Sequence, residues 1–182
     1  MKTFIASIAA AMISTSAYAV EVWEFATHGH WQVDLVQFDD GRMACAAANA
    51  NPDAGLALTL WDFNDGTYEI QVTDNTFNFR GTWGELSVAI DQGTIWDGPA
   101  FFNGQAIFIN ELTDVDMLME IMEGNTFYVL DRDDYITHEF SLHGSRAAIM
   151  DMIECAEQID NGPAENQGFN YNEGHNYQEE SL

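Results

Sequence analysis

Between His30 and Leu142, apolar and polar residues alternate in short runs, and turn residues separate one run from the next. A period of two lets a strand bury one face, and short strands joined by turns favour antiparallel pairing. "HWQVDLVQF" sets Trp31, Val33, Leu35 and, less regularly, Phe38 among polar residues; "DDG" at 39–41 turns the chain, and "RMACAAANA" returns. After the loop "NPDAG" at 51–55, "LALTLWDF" and "TYEIQVT" flank "NDG" at 64–66. Asp-Gly between two alternating runs is the strongest short hairpin signal in the chain, because these residues tolerate the positive φ of the primed turns. "TFNF", "LSVAI", "QAIFI", "TFYVL" and "YITHEFSL" read as further strands.

Two helices interrupt the strands. "TDVDMLMEIMEG" opens at Thr113 with Asp116 three residues on and closes before Gly124, with Val115, Leu118, Met119 and Met122 as its apolar stripe. The second runs from about Arg146 to Ile159. Ala148, Met152, Cys155 and Ile159 recur on one face, and Ile149 and Ala156 widen it. Ser145 is predicted to cap this helix, its hydroxyl accepting from an N–H in the first turn. The expected fold is α+β: one antiparallel β-rich domain over residues 20–159 with two helices, one C-terminal and disulfide-tethered.

The first residues combine Lys2, an apolar stretch from Phe4 to Ile13, and the A-x-A site Ala17-Tyr18-Ala19. This is the pattern of a secretory signal peptide over 1–19, with cleavage after Ala19 and a periplasmic or secreted destination. No later run is long and apolar enough to span a bilayer, so membrane insertion is not expected. Cys45 and Cys155 are the two cysteines. In an exported chain they are read as one disulfide, worth roughly 4–5 kcal/mol by loop entropy. The alternatives are two free buried thiols or one reactive thiol. From Asp160 to Leu182 the chain turns polar, acidic and rich in Asn and Gly, the composition of a disordered tail. The tail repeats the form G-x-N-Y-[NQ]-E at 168–173 and 174–179.

Charge narrows the partners. The formal net charge is −25. The only lysine is Lys2, so beyond the leader Arg42, Arg80, Arg132 and Arg146 face all 30 acidic residues. Such a surface repels nucleic acid and anionic lipid. An unknown protein or a neutral ligand remains as partner.

Several constellations hold residue types that chemistry uses. "HGSRA" places Ser145 in the frame of a hydrolase elbow, but His143 and Ala147 stand where G-x-S-x-G needs glycines. "HGH" puts His28 and His30 at a spacing that can share one face of a strand, with His138 and His143 as further ligands for a metal ion. "DFNDGTYEIQVT" from Asp62 departs from an EF-hand loop, since Gly66 falls one place early and Thr73 stands at the twelfth position. "DRDD" at 131–134 remains a weak hard-cation candidate. Trp83, Trp96, Phe101 and Phe102 lie in a Gly-rich region where aromatics beside Asp or Asn can stack on a sugar. Among the acids no pair stands out as the two carboxylates of a glycosidase.

"HEFSLHGSRAAIMDMIEC" resembles the ending of many small exported Gram-negative proteins, F-S-L-x-G-S-x-x-A-h-x-x-h-x-x-C with h apolar. Phe140, Ser141, Leu142, Gly144, Ser145, Ala148, Ile149, Met152 and Cys155 carry the likeness, and Trp31, Val33 and Cys45 add to it. It is distantly similar to the invasion-associated locus B proteins, which carry more cysteines. The resemblance implies a periplasmic β-rich domain, offers no known catalytic residues to map and carries no function over. Since none of the constellations above completes a catalytic set, the expected function is non-catalytic binding or accessory work without a cofactor. The alternatives are a serine- or metal-dependent hydrolase, or a protein that binds a divalent cation.

Overall fold

The computed structural model describes residues 19–63, 66–113, 115–131 and 135–160. Residues 1–18, which hold most of the signal peptide expected over 1–19, and residues 161–182, with the near-repeat, lie outside the described residues. So do the middle of the "NDG" turn and most of "DRDD".

The strands are β1 (Ala19–His28), β2 (Trp31–Phe38), β3 (Met43–Asn51), β4 (Leu56–Asp62), β5 (Tyr68–Asp74), β6 (Phe79–Ile90), β7 (Ile95–Gly104), β8 (Ala106–Leu112), β9 (Thr126–Leu130) and β10 (Ile136–Ser141). The helices are α1 (Val115–Glu123) and α2 (Ser145–Asp160). Among the described residues these ten strands pair antiparallel in one sheet, in the order β1-β2-β3-β4-β5-β8-β7-β6-β9-β10. The β-rich α+β expectation is met.

Alternation decides which residues face the core. Trp31, Val33 and Leu35 of β2 join Leu58 and Leu60 of β4, Ile70 and Val72 of β5, and Ile107 and Ile109 of β8 in one buried cluster. Phe38 breaks the β2 alternation. It belongs to a second cluster on the opposite face, with Val36, Ala44 and Ala46, beside Trp61 and Phe63. Helix α2 packs across β1 to β4 and touches α1. Ala148, Ile149, Met152, Cys155 and Ala156 are all buried, so the face read from the sequence is the one used.

Helix α1 is rotated from the expected stripe. Met117, Ile121 and Met122 are buried, whereas Val115 and Met119 are exposed. Gly124 does not take the left-handed conformation of a helix cap. It is required for room instead, because a Cβ there would come within 2.9 Å of the Glu120 carbonyl oxygen and 3.2 Å of Leu142.

Two strands carry no clear signal in the sequence. β1 and the Gly- and Pro-containing β7 were not expected. "TFNF" is mainly a turn, and Phe79 alone enters a strand, the long β6 that also takes in "LSVAI".

The expected staple is present. Cys45 of β3 and Cys155 of α2 form a disulfide across a sequence separation of 110, with Cα atoms 6.0 Å apart, and both cysteines are buried. Other joints fold the sheet over. Asn49 of β3 donates its side-chain amide to the Ser141 carbonyl of β10 at 2.6 Å, although β3 and β10 are far apart in the sheet order. Asp91, with φ 52°, accepts from the backbone N–H groups of Asn125 and Thr126 and so ties the β6–β7 turn to the α1–β9 connection.

Candidate binding face

Strand parity divides the aromatic cluster read from the sequence. Trp96 and Phe102 pack against the main core, and the Trp96 indole N–H donates to Glu120 of α1 at 3.3 Å. Trp83 and Phe101 occupy the alternate positions and face the other way. They are cross-strand partners on β6 and β7, with ring centroids 5.3 Å apart. Phe101 in turn pairs with Phe108 of β8, with centroids at 6.5 Å.

The row continues across the outer face of the sheet. Phe108 pairs with Gln71, Gln71 with Thr59, Thr59 with Ala48, and Ala48 with Gln32. Its two halves differ. Trp83 is 63% exposed, whereas Thr59 and Gln71 are buried. Gln71 is held at both ends of its amide. It accepts from the Trp61 indole N–H at 2.9 Å and donates to the Thr73 hydroxyl at 3.0 Å. The fixed polar half thus ends in a partly open aromatic strip. Exposed Glu85, Asp97 and Asn110 lie on the same face beside the strip, and Arg80 stands at its far end beyond the Gly81 bulge.

Phe108 was not singled out by sequence reasoning. The signal was its parity: Ile107 and Ile109 point inward, so the large residue between them must point out.

Two carboxyl groups on this face are perturbed. Burial raises the Asp34 pKa, opposed by the Gln32 amide that donates to both its oxygens at 2.8 and 3.0 Å and assisted by Glu24. Burial alone pushes Glu69 up to about 7. Asp34, Ala46, Trp61 and Glu69 form one cross-strand row, so the two acids stand three strands apart. That is about 14 Å between backbones. A glycosidase pair needs its carboxyls within about 10 Å.

The other named residues are dispersed. Ser145 stands at the start of α2 and is buried. Its hydroxyl donates to the Ile121 carbonyl of α1 at 2.7 Å, rather than accepting from its own helix as expected. The first α2 bond is accepted by the Gly144 carbonyl, from Ala148 N–H at 3.1 Å. Gly144 makes the turn with φ 94°, against the His28 carbonyl. His28 pairs through Nε2 with Asp151 of α2 at 2.7 Å, while His30 and His143 are exposed. His138 pairs with Asp74 instead, at 2.9 Å, with Phe77 edge-on at 5.2 Å. The four histidines therefore do not converge. Among the described residues no group of three or more His, Cys, Asp or Glu is placed to hold a metal ion. No helix there is long and apolar enough to cross a membrane.

Compared with protein-family models, characterised proteins and solved structures, the chain matches none.

Proposed function

We propose that this chain is an exported, non-catalytic binding protein whose binding face is the outer surface of β6, β7 and β8. One observation carries the reading: the row Trp83–Phe101–Phe108 turns aromatic rings away from the core on three neighbouring strands, with Trp83 63% exposed. Exposed aromatics with fixed neighbours supply contact area at small entropic cost. The A-x-A leader, the disulfide and an ending that resembles those of small exported proteins support the destination.

The hydrolase alternative loses its main support in the local geometry. Ser145 spends its hydroxyl on a carbonyl inside the core, where no substrate reaches it.

Trp83 reports on the proposed face. Its emission is isolated as the difference between the wild type and Trp83→Phe, and is recorded with neutral polysaccharides, a Lys/Arg-rich peptide and lipid vesicles. A shift or quench with one class is expected. Silence with all three would overturn the assignment of this face.

A further inference from the structure

We infer that the ligand of this face is a neutral glycan, an inference that rests on the binding role proposed above. The ring row has the make-up that sugar recognition needs. A sugar offers apolar C–H faces that stack on aromatic rings, and hydroxyls that donate to carboxylate and amide oxygens. Trp83 supplies the open ring, with Phe101 and Phe108 continuing it across two strands. Glu85 is two residues from Trp83 on the same strand face and pairs with Pro99, so an acceptor stands directly beside the ring pair. Asp97 follows on β7, where it accepts from the Ser87 hydroxyl. Asn110 flanks Phe108 on β8.

Charge selects among the ligands that an aromatic strip can take. Glu85 and Asp97 outnumber Arg80 on this face, and the whole chain carries a formal −25. Anionic polysaccharide, phosphate and acidic lipid would meet net repulsion. A neutral sugar meets acceptors for its hydroxyls and suffers no such penalty. The face is a strip rather than a pocket, and extends over adjacent strands at about 4.8 Å spacing. Such a shape suits several units of a chain better than one monosaccharide.

The test is mobility of the full, oxidised protein in native gels cast with dextran, soluble β-glucan, galactomannan or xylan. Retardation by at least one of these is expected. Trp83→Ala should weaken it about tenfold, Trp83→Phe should keep much of it, and Glu85→Ala should weaken it less than loss of the ring does. Because Trp83 is exposed, the thermal melt of Trp83→Ala should match that of the wild type, and this control separates lost binding from lost folding. No retardation by any of the four would overturn the glycan assignment, as would retardation indifferent to Trp83. If Trp83 emission then still responds to the basic peptide, the face binds a cationic protein segment by cation–π contact and the binding reading survives. If it responds to nothing, both fall.

Discussion

His138 of β10 and Asp74 at the end of β5 are joined by a hydrogen bond between Nε2 and a carboxylate oxygen at 2.9 Å, although their strands are not neighbours in the sheet. Burial acts to raise the Asp74 pKa, but the Thr76 hydroxyl, the Thr76 N–H and His138 outweigh it, and the net position is below the ordinary carboxylate value. The group therefore adds stability above the unfolded pKa near 3.9, and that contribution is lost as pH falls through the folded value. Asp74→Asn should lower stability at pH 7 by about 1.5–3 kcal/mol and flatten the acid limb of a plot of melting temperature against pH. An unchanged acid limb would show that the pair does not hold the sheet over.

Glu69 has the opposite sign. Its carboxyl is raised from 4.5 to about 7 by burial, so the folded state holds its proton longer than the unfolded chain does. Stability falls as pH rises from 4.5 to about 7, at up to about 1.4 kcal/mol per unit, and the penalty is constant above that. Glu69→Gln should melt like the wild type at pH 4 and higher than it at pH 8. A melting difference that does not change with pH would contradict the desolvation argument.

Ser145 joins the two helices. Ser145→Ala leaves the Ile121 carbonyl without this buried partner and should cost about 1–3 kcal/mol in a denaturant midpoint. An exposed cap would cost about 1 kcal/mol. Any esterase activity of the wild type that vanished in this variant at unchanged stability would return Ser145 to the nucleophile role.

Asp91 is a hinge pin between the β6–β7 turn and the α1–β9 connection. Asp91→Ala removes its bonds to Asn125 and Thr126 and leaves a side chain at φ 52°. Asp91→Gly removes the same bonds but also frees the backbone of a Cβ at that φ. Both should lower the denaturant midpoint, the alanine by about 1 kcal/mol more; equal midpoints for the two would show that φ at this turn carries no cost.

Reducing Cys45–Cys155 should lower stability by up to about 4–5 kcal/mol, read as a fall in melting temperature with a thiol reductant. Indifference to the reductant would mean that the fold holds α2 in place without the bond.

The legible part of this molecule was the part with strict periodicity. The sequence of β5 alternates throughout and that of β2 does so from Trp31 to Leu35, and the buried face of α2 follows its helical repeat from Ala148 to Ala156. β7 stayed hidden because "IWDGPAFFNG" carries Gly98, Pro99 and Gly104, residues that usually end a strand; here its neighbours β6 and β8 impose the extended form. The stripe of α1 differs from the expected one because so many of its residues are apolar that composition leaves two faces open, and only packing chooses Met117, Ile121 and Met122. The candidate face needed register. Trp83, Phe101 and Phe108 lie on three strands, and nothing short of the pairing brings them into one row.

The bond between Cys45 and Cys155 also makes a closed covalent ring of everything from β3 to α2. A protease that cuts any one loop inside the ring opens it without separating the pieces, which would migrate together on a gel until reduced. A cut at the β2–β3 turn, Asp39–Gly41, lies outside the ring, and there the β1–β2 hairpin would be held by strand pairing and packing alone. In a protease-rich surrounding, the turns at Gly29 and at Asp39, both ahead of Cys45, are therefore places where one scission can cost the molecule a piece of itself.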